Sequence, residues 1–192
     1  MINSLMETDI KNAVKVLENG GVILYPTDTI WGIGCDATNK YAVEKIFQIK
    51  RREKEKSMIV LIESIDELKK YVGNVPSIAY ELIADTDRPL TLIYSNAMNL
   101  AENIIAVDGS VAARIPDHEF CQRLLKTFGK PIVSTSANFS GDANAVSFDK
   151  ISAGLLPQVD YIVQIMHNVI IDVKPSRILK LNNEGGFKII RD

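Results

Sequence analysis

Cysteine is scarce in this chain of 192 residues, which has only Cys35 and Cys121. The two lack a metal-ligand spacing and are too few for a disulfide framework, so reduced thiols in a cytoplasmic protein are expected. Histidine is equally scarce: His118 follows Pro116-Asp117, and His167 lies in a late, loop-like stretch that carries no signal. No run approaches the roughly 18 apolar residues of a membrane-spanning helix, and Met1–Asn12 lacks the apolar centre of a signal peptide. Neither charge is in excess. Twenty-two basic against 24 acidic residues leave a net charge of −2, which excludes a surface coated in phosphate-binding charge. Any nucleotide or nucleic-acid contact must come from a local cluster. The pattern GxxxxGK[ST] is missing, so a nucleotide would not be held by a P-loop. Repeats, low-complexity tracts and linkers are missing too, and one compact domain over 1–192 is the expectation.

What is present is ordinary globular material, 46% hydrophobic and 24% charged, enough to bury roughly 70% of the unfolded surface without staples. Helical spacing over 7–19 (Ile10, Ala13, Val14, Leu17) stops at Gly20-Gly21. An apolar strand, 21–25, ends at Pro26, which cannot donate to a ladder. A second helix, 39–50, turns Ala42, Val43, Ile46, Phe47 and Ile49 inward. A strand over 57–62, helices over 65–72 and 76–84, and strands over 90–94 and 110–115 follow. Asp117 is expected to cap a helix reaching 128, closed by Gly129. After a short strand at 131–133 come a helix near 148–155 and apolar runs at 160–165, 169–173, 177–181 and 187–190 that read as strands. Strands alternating with helices, then strands in succession, indicate an α/β fold with a mixed sheet.

The chemistry concentrates in Tyr25 to Met58. Hydroxyls lie early in it, in Thr27-Asp28-Thr29, followed by Gly32-Ile33-Gly34; the cations Lys50, Arg51, Arg52, Lys54 and Lys56 lie late. Such parts suit an anionic, phosphate-bearing ligand, although cations at a helix end also simply complement its dipole. Two glycines without a full fingerprint suggest a tight bend. Ser134 to Gly141 reads either as a polar turn or as ligand-binding hydroxyls at a strand's carboxyl end. Arg114 closes the small apolar strand Val111-Ala112-Ala113, where a half-buried ion pair is the plain reading.

These blocks resemble the YrdC/TsaC family, whose pattern runs PTDTxYGLGxD, a helix, then KxRxxxxPL. Lys130 to Gly141, Pro89 to Ile93 and Val111 to His118 match further family blocks, and together the ordered blocks cover 25–141. Glu53 and Ser57 stand where the family commonly has proline, and Trp31 where it usually has Tyr or Phe. The resemblance implies a twisted mixed sheet flanked by helices, with a concave active face. It also implies a nucleotidyltransferase that makes threonylcarbamoyl-adenylate from L-threonine, bicarbonate and ATP, with Mg²⁺, for tRNA modification.

By the same resemblance Lys50, Arg52, Ser136 and Asn138 are catalytic, and Lys50, Arg52, Ser134, Ser136, Asn138 and Ser176 hold ATP. Thr29, Thr91 and Arg114 hold threonine, Arg114 matching its carboxylate in one plane. Arg51, between the two family cations, is expected to be solvated. No protein metal ligand is implied. tRNA and downstream tRNA-modification proteins are the implied partners. Two alternatives stand beside this reading: a double-stranded RNA or tRNA-binding module without turnover, and a carbamoyl-transfer domain like those of hydrogenase-maturation proteins. Trp31 is read as an aromatic lining the ligand cavity or as core filling.

Overall fold

The computed structural model describes residues 2–51, 58–170, 175–182 and 185–192. Its strands are β1 (Ile23–Tyr25), β2 (Gly32–Gly34), β3 (Ile59–Leu61), β4 (Leu90–Tyr94), β5 (Val111–Arg114), β6 (Ile132–Ser136), β7 (Tyr161–Ile162), β8 (Arg177–Leu181) and β9 (Phe187–Arg191). They form one sheet in the order β7-β1-β2-β6-β3-β5-β4-β8-β9. The pairs β1–β7, β3–β5 and β4–β8 are parallel and the remaining neighbours antiparallel, so the sheet is mixed, as the order of elements implied. Helices α1 (Ile2–Glu18), α2 (Lys40–Lys50), α3 (Ile65–Leu68), α4 (Ser77–Ala84) and α5 (Glu119–Phe128) flank it. None of the described helices is long and apolar enough to cross a membrane.

Strand alternation divides the interior into two cores. Ile23, Tyr25, Leu61 and Ile132 point to one face, where they meet Met6, Ile10, Ala13 and Leu17 of α1 and Phe120, Leu124 and Leu125 of α5. Leu24, Val60 and Val133 point to the other, against Ala42, Val43, Ile46 and Phe47 of α2. Each of these large side chains contributes roughly 1.5–3 kcal/mol on burial. The first core ends at Leu61 and Ile132. The same face continues through Ile59, Ser134 and Ser136 two residues along, and through Arg114, which pairs with Leu61. Here polar side chains replace apolar ones and a cavity opens.

Several local expectations need correction. Helix α1 starts at Ile2 rather than at residue 7, because Met6 extends the stripe of Ile10 and Leu17 over the sheet. His118, not Asp117, occupies the cap position of α5, with no side-chain cap bond. No α-helix spans 148–155; short 3-10 turns at Phe148–Lys150 and Leu156–Gln158 stand there. Residues 169–170 carry no strand, and the rest of the expected 169–173 strand lies outside the described residues. The segment Gly32-Ile33-Gly34 is the strand β2, not a bend. Its glycine at 34 answers a close approach, since a Cβ there would stand 2.4 Å from the Val133 carbonyl oxygen and 2.8 Å from Tyr25 Cε1.

Helix α2 fits its sequence signals closely. Asn39 caps it, Oδ1 accepting from the N–H groups of Tyr41 (3.0 Å) and Ala42 (3.2 Å). Arg51 ends it in the left-handed conformation, φ 51°. Lys50, just before this turn, faces inward and is 1% exposed.

Candidate active site

A cavity of about 230 Å³ is lined by Thr27, Thr29, Ile30, Trp31, Gly32, Met58, Ile59, Arg114, Ser134, Thr135, Ser136, Asn144, Pro175, Ser176, Ile178 and Arg191. The connection between β1 and β2 supplies its first wall. Thr27 Oγ1 donates to the Ile30 carbonyl (2.7 Å), accepts from the Thr29 N–H (3.1 Å) and lies 3.0 Å from Thr29 Oγ1. This self-bonded turn fixes Asp28 and Thr29 without help from a ligand. Both meet Arg114: Nη2 stands 3.0 Å from Asp28 Oδ1, and Nη1 donates to Thr29 Oγ1 at 3.4 Å. The ion pair foreseen for Arg114 exists, buried rather than half-buried, and it borders the cavity.

A second wall comes from β8, β9 and the residues before them. Thr91 and Ser176 share a hydroxyl hydrogen bond of 2.9 Å. Arg191 donates from Nε (3.0 Å) and Nη2 (2.8 Å) to the Ser176 carbonyl, and from Nη2 to Ser176 Oγ (3.1 Å). Burial, and then the charge of Arg114, hold the Arg191 guanidinium below its usual range. The two arginines therefore repel, and Asp28 is the acidic partner of Arg114, while no described acidic side chain pairs with Arg191. Two cations against one carboxylate, with serine and threonine hydroxyls between them, favour an anion with several oxygens.

The structure brings Thr29, Arg114, Ser134, Ser136 and Ser176 together on the cavity wall. Thr91 lies one layer behind, fully buried, and reaches the cavity through Ser176. Lys50 and Asn138 are not on the wall. Lys50 Nζ donates to the carbonyls of Ser136 (2.5 Å) and Asn138 (2.8 Å) and to Asn138 Oδ1 (3.0 Å), and lies 3.4 Å from Ser136 Oγ. Asn138 Nδ2 donates onward to the carbonyls of Asp142 (2.7 Å) and Ala143 (3.3 Å). In this state the ammonium clasps the loop after β6 from beneath. Arg52, and with it 53–57, lies outside the described residues.

Other expectations resolve differently. Arg51 is not simply solvated: its Cζ sits 4.9 Å from the centre of the Phe139 ring. Trp31 satisfies both of its readings, lining the cavity while fully buried. It meets Phe148 (5.2 Å) and His167 (5.4 Å) edge-on, and those two rings stack on each other at 3.7 Å. His167 thus has a packing role that its loop-like surroundings concealed. Burial pushes the His118 imidazole below its usual pKa, and its Nδ1 is enclosed without a partner. It lines neither the cavity nor the larger cleft of about 610 Å³ on the far side of Asp28, a cleft lined by none of the expected site residues.

Sequence reasoning missed Asn144 and, above all, Arg191, and read Thr27 and Thr135 only as part of their hydroxyl-rich blocks. The signal for Arg191 was present, since an arginine closing a short apolar strand is also what marked Arg114. Among the described residues, no cluster of three or more His, Cys, Asp or Glu side chains could hold a metal ion.

Three comparisons bear on this site. A family profile for Sua5, YciO and YrdC proteins, described as "Telomere recombination", matches residues 15–192. The threonylcarbamoyl-AMP synthase of Pseudoalteromonas translucida is 33% identical over 160 residues, covering 82% of this chain and 86% of that one. P. abyssi Sua5, in a crystal structure complexed with L-threonine, superposes with a TM-score of 0.83 at 25% identity. That match covers 95% of this chain and 53% of the Sua5 chain, so this chain spans about half the Sua5 length. E. coli YciO superposes with a TM-score of 0.82 at 26% identity, covering 95% of this chain and 88% of that one. With the profile reaching from the end of α1 through β9, and the site built from the blocks that carried the resemblance, the chain belongs to the Sua5/YciO/YrdC family.

Proposed function

We propose that the protein is an L-threonylcarbamoyladenylate synthase, a nucleotidyltransferase that forms threonylcarbamoyl-AMP and pyrophosphate from L-threonine, bicarbonate and ATP. The observation that carries this reading is Arg114, a buried guanidinium in a hydroxyl-lined cavity, in a chain similar to proteins named for that reaction. A planar fork suits an amino-acid carboxylate, and the hydroxyls of Ser134, Ser136 and Ser176 suit phosphate oxygens.

The chemistry requires no protein nucleophile. The threonine amine adds to the carbon of bicarbonate, and water leaves to give a carbamate. A carbamate oxygen then attacks the α-phosphorus of ATP, the bond to the bridging oxygen breaks, and pyrophosphate departs with the electron pair. The protein's part is positioning and cationic stabilisation of the phosphoryl charge. Arg114 and Thr29 hold the amino acid, and Arg191 faces the same space from the opposite wall. Lys50 and Asn138 keep the Ser136 loop in place, and Arg52 is assigned to the phosphates by family correspondence. Mg²⁺ would enter with ATP, as part of the substrate complex. The product serves tRNA threonylcarbamoyladenosine formation, which would place the protein in the cytoplasm with downstream tRNA-modification partners.

The test is pyrophosphate release with each substrate omitted in turn. Release is expected only when threonine, bicarbonate, ATP and Mg²⁺ are all present. Equal release without threonine would sink the reading, as would salt-dependent RNA binding without any turnover.

A further inference from the structure

Arg114 and Asp28 are enclosed together, their side chains 4% and 8% exposed. A guanidinium offers five N–H donors in one plane, along an end-on edge of two terminal nitrogens and a side edge that includes Nε. One turn of the chain meets the two terminal nitrogens: Asp28 Oδ1 lies 3.0 Å from Nη2 as an ion pair without hydrogen-bond geometry, and Thr29 accepts from Nη1. Nε is left buried with no hydrogen-bond partner. Leaving a buried donor unpaired is costly, so it calls for a partner such as an ordered water, an ion or a ligand.

We propose that Asp28 is a positioning residue for the amino-acid substrate, holding the Arg114 plane so that its Nε edge is reserved for the threonine carboxylate. This rests on the function proposed above. Asp28 is suited to the task because its own backbone is fixed by the Thr27 hydroxyl bonds, so its carboxylate arrives in place before any ligand. It also supplies the counter-charge that lets a guanidinium be buried opposite Arg191, while binding only one terminal nitrogen. A carboxylate that took the side edge instead would compete with the substrate.

Steady-state pyrophosphate release by wild type, Asp28→Asn and Asp28→Glu, with threonine and ATP varied separately, tests this. Asp28→Asn is expected to raise the threonine KM about tenfold or more, the loss of one charge-assisted contact, with the ATP KM unchanged. Asp28→Glu keeps the charge and should recover part of that loss. L-threoninol, in which an alcohol replaces the carboxylate, serves as a competing probe. Wild type should prefer threonine over threoninol strongly, and Asp28→Asn should lose most of that preference. A merely structural role would move both KM values and the melting temperature and leave the preference intact. A folded Asp28→Asn with unchanged preference overturns the assignment. Should that variant fail to fold, a folded Asp28→Ser with an unmoved threonine KM and an intact preference overturns it equally. A wild type that shows no response to threonine removes the proposed function, and this assignment with it; an active wild type with a flat Asp28 series removes this assignment alone.

Discussion

Replacing Lys50 by methionine separates a phosphate clamp from a loop clasp. Lys50 is 1% exposed, and its ammonium reaches three acceptors within 3.0 Å: the carbonyls of Ser136 and Asn138, and Asn138 Oδ1. Methionine nearly matches the side chain in length but donates nothing, so these acceptors would be stranded in the interior. A hydrogen bond to a charged group is worth roughly 1.5–3 kcal/mol, and the losses overlap because all the acceptors belong to one loop. A destabilisation of about 3–5 kcal/mol is expected, the range for breaking a buried charged contact. In a chain of this size each kcal/mol lowers Tm by about 2–4 °C, so a drop of roughly 6–20 °C should appear in a circular-dichroism melt without ligand. ATP binding should weaken as well, as a consequence of losing the Ser136 loop. A Lys50→Met protein that melts within about 2 °C of wild type, while its ATP affinity falls steeply, would refute this reasoning. Lys50 would then contact phosphate directly in solution, and the contacts to Ser136 and Asn138 would not be what holds the loop.

Arg191→Gln removes a cation from the cavity lining and three donor contacts to Ser176. Binding of ATP, threonine or both should weaken about 10- to 150-fold, as expected for one charge-assisted contact; calorimetry that finds both affinities intact would exclude Arg191 from the site. Burial pushes the thiols of Cys35 and Cys121 and the phenols of Tyr25 and Tyr94 above their usual range. The unfolded chain therefore releases these protons first. The stability they contribute is complete below the ordinary thiol pKa of about 8.5 and is lost as pH rises beyond it. Urea midpoints should fall between about pH 8 and about pH 10, and both thiols should resist a disulfide reagent until the chain unfolds. A flat pH profile or prompt native labelling would contradict the burial of these groups.

Where local signals agreed with one another, the sequence by itself determined the structure. Helix α2 has apolar positions at helical spacing and a side-chain cap at Asn39, and 39–50 matched Lys40–Lys50 almost to the residue. Strands β4 and β8, apolar runs bounded by proline or polar residues, fell at 90–94 and 177–181 as expected. Residues 148–155 show the opposite case. Ile151 and Leu155 have helical spacing and are both buried, yet only a short turn forms at Phe148–Lys150. Packing of the loop over Trp31 buries them, and period alone cannot separate that from a helix.

The candidate site divides in the same way. Which residue types would line the cavity was legible, because hydroxyls and arginines were concentrated in a few blocks that matched a family. Where each side chain ends was not. Lys50 and Asn138 lie far apart in sequence, and only the crossing of α2 beneath the loop after β6 joins them and takes Lys50 off the cavity wall. Arg191 comes to the cavity because β9 pairs with β8 in a register that sets it opposite Ile178, across an irregularity between Ile178 and Leu179. Strand register is a long-range decision, and shifting a strand by one residue turns every side chain to the other face. Tertiary structure therefore decided which cations face the cavity and which hold the scaffold.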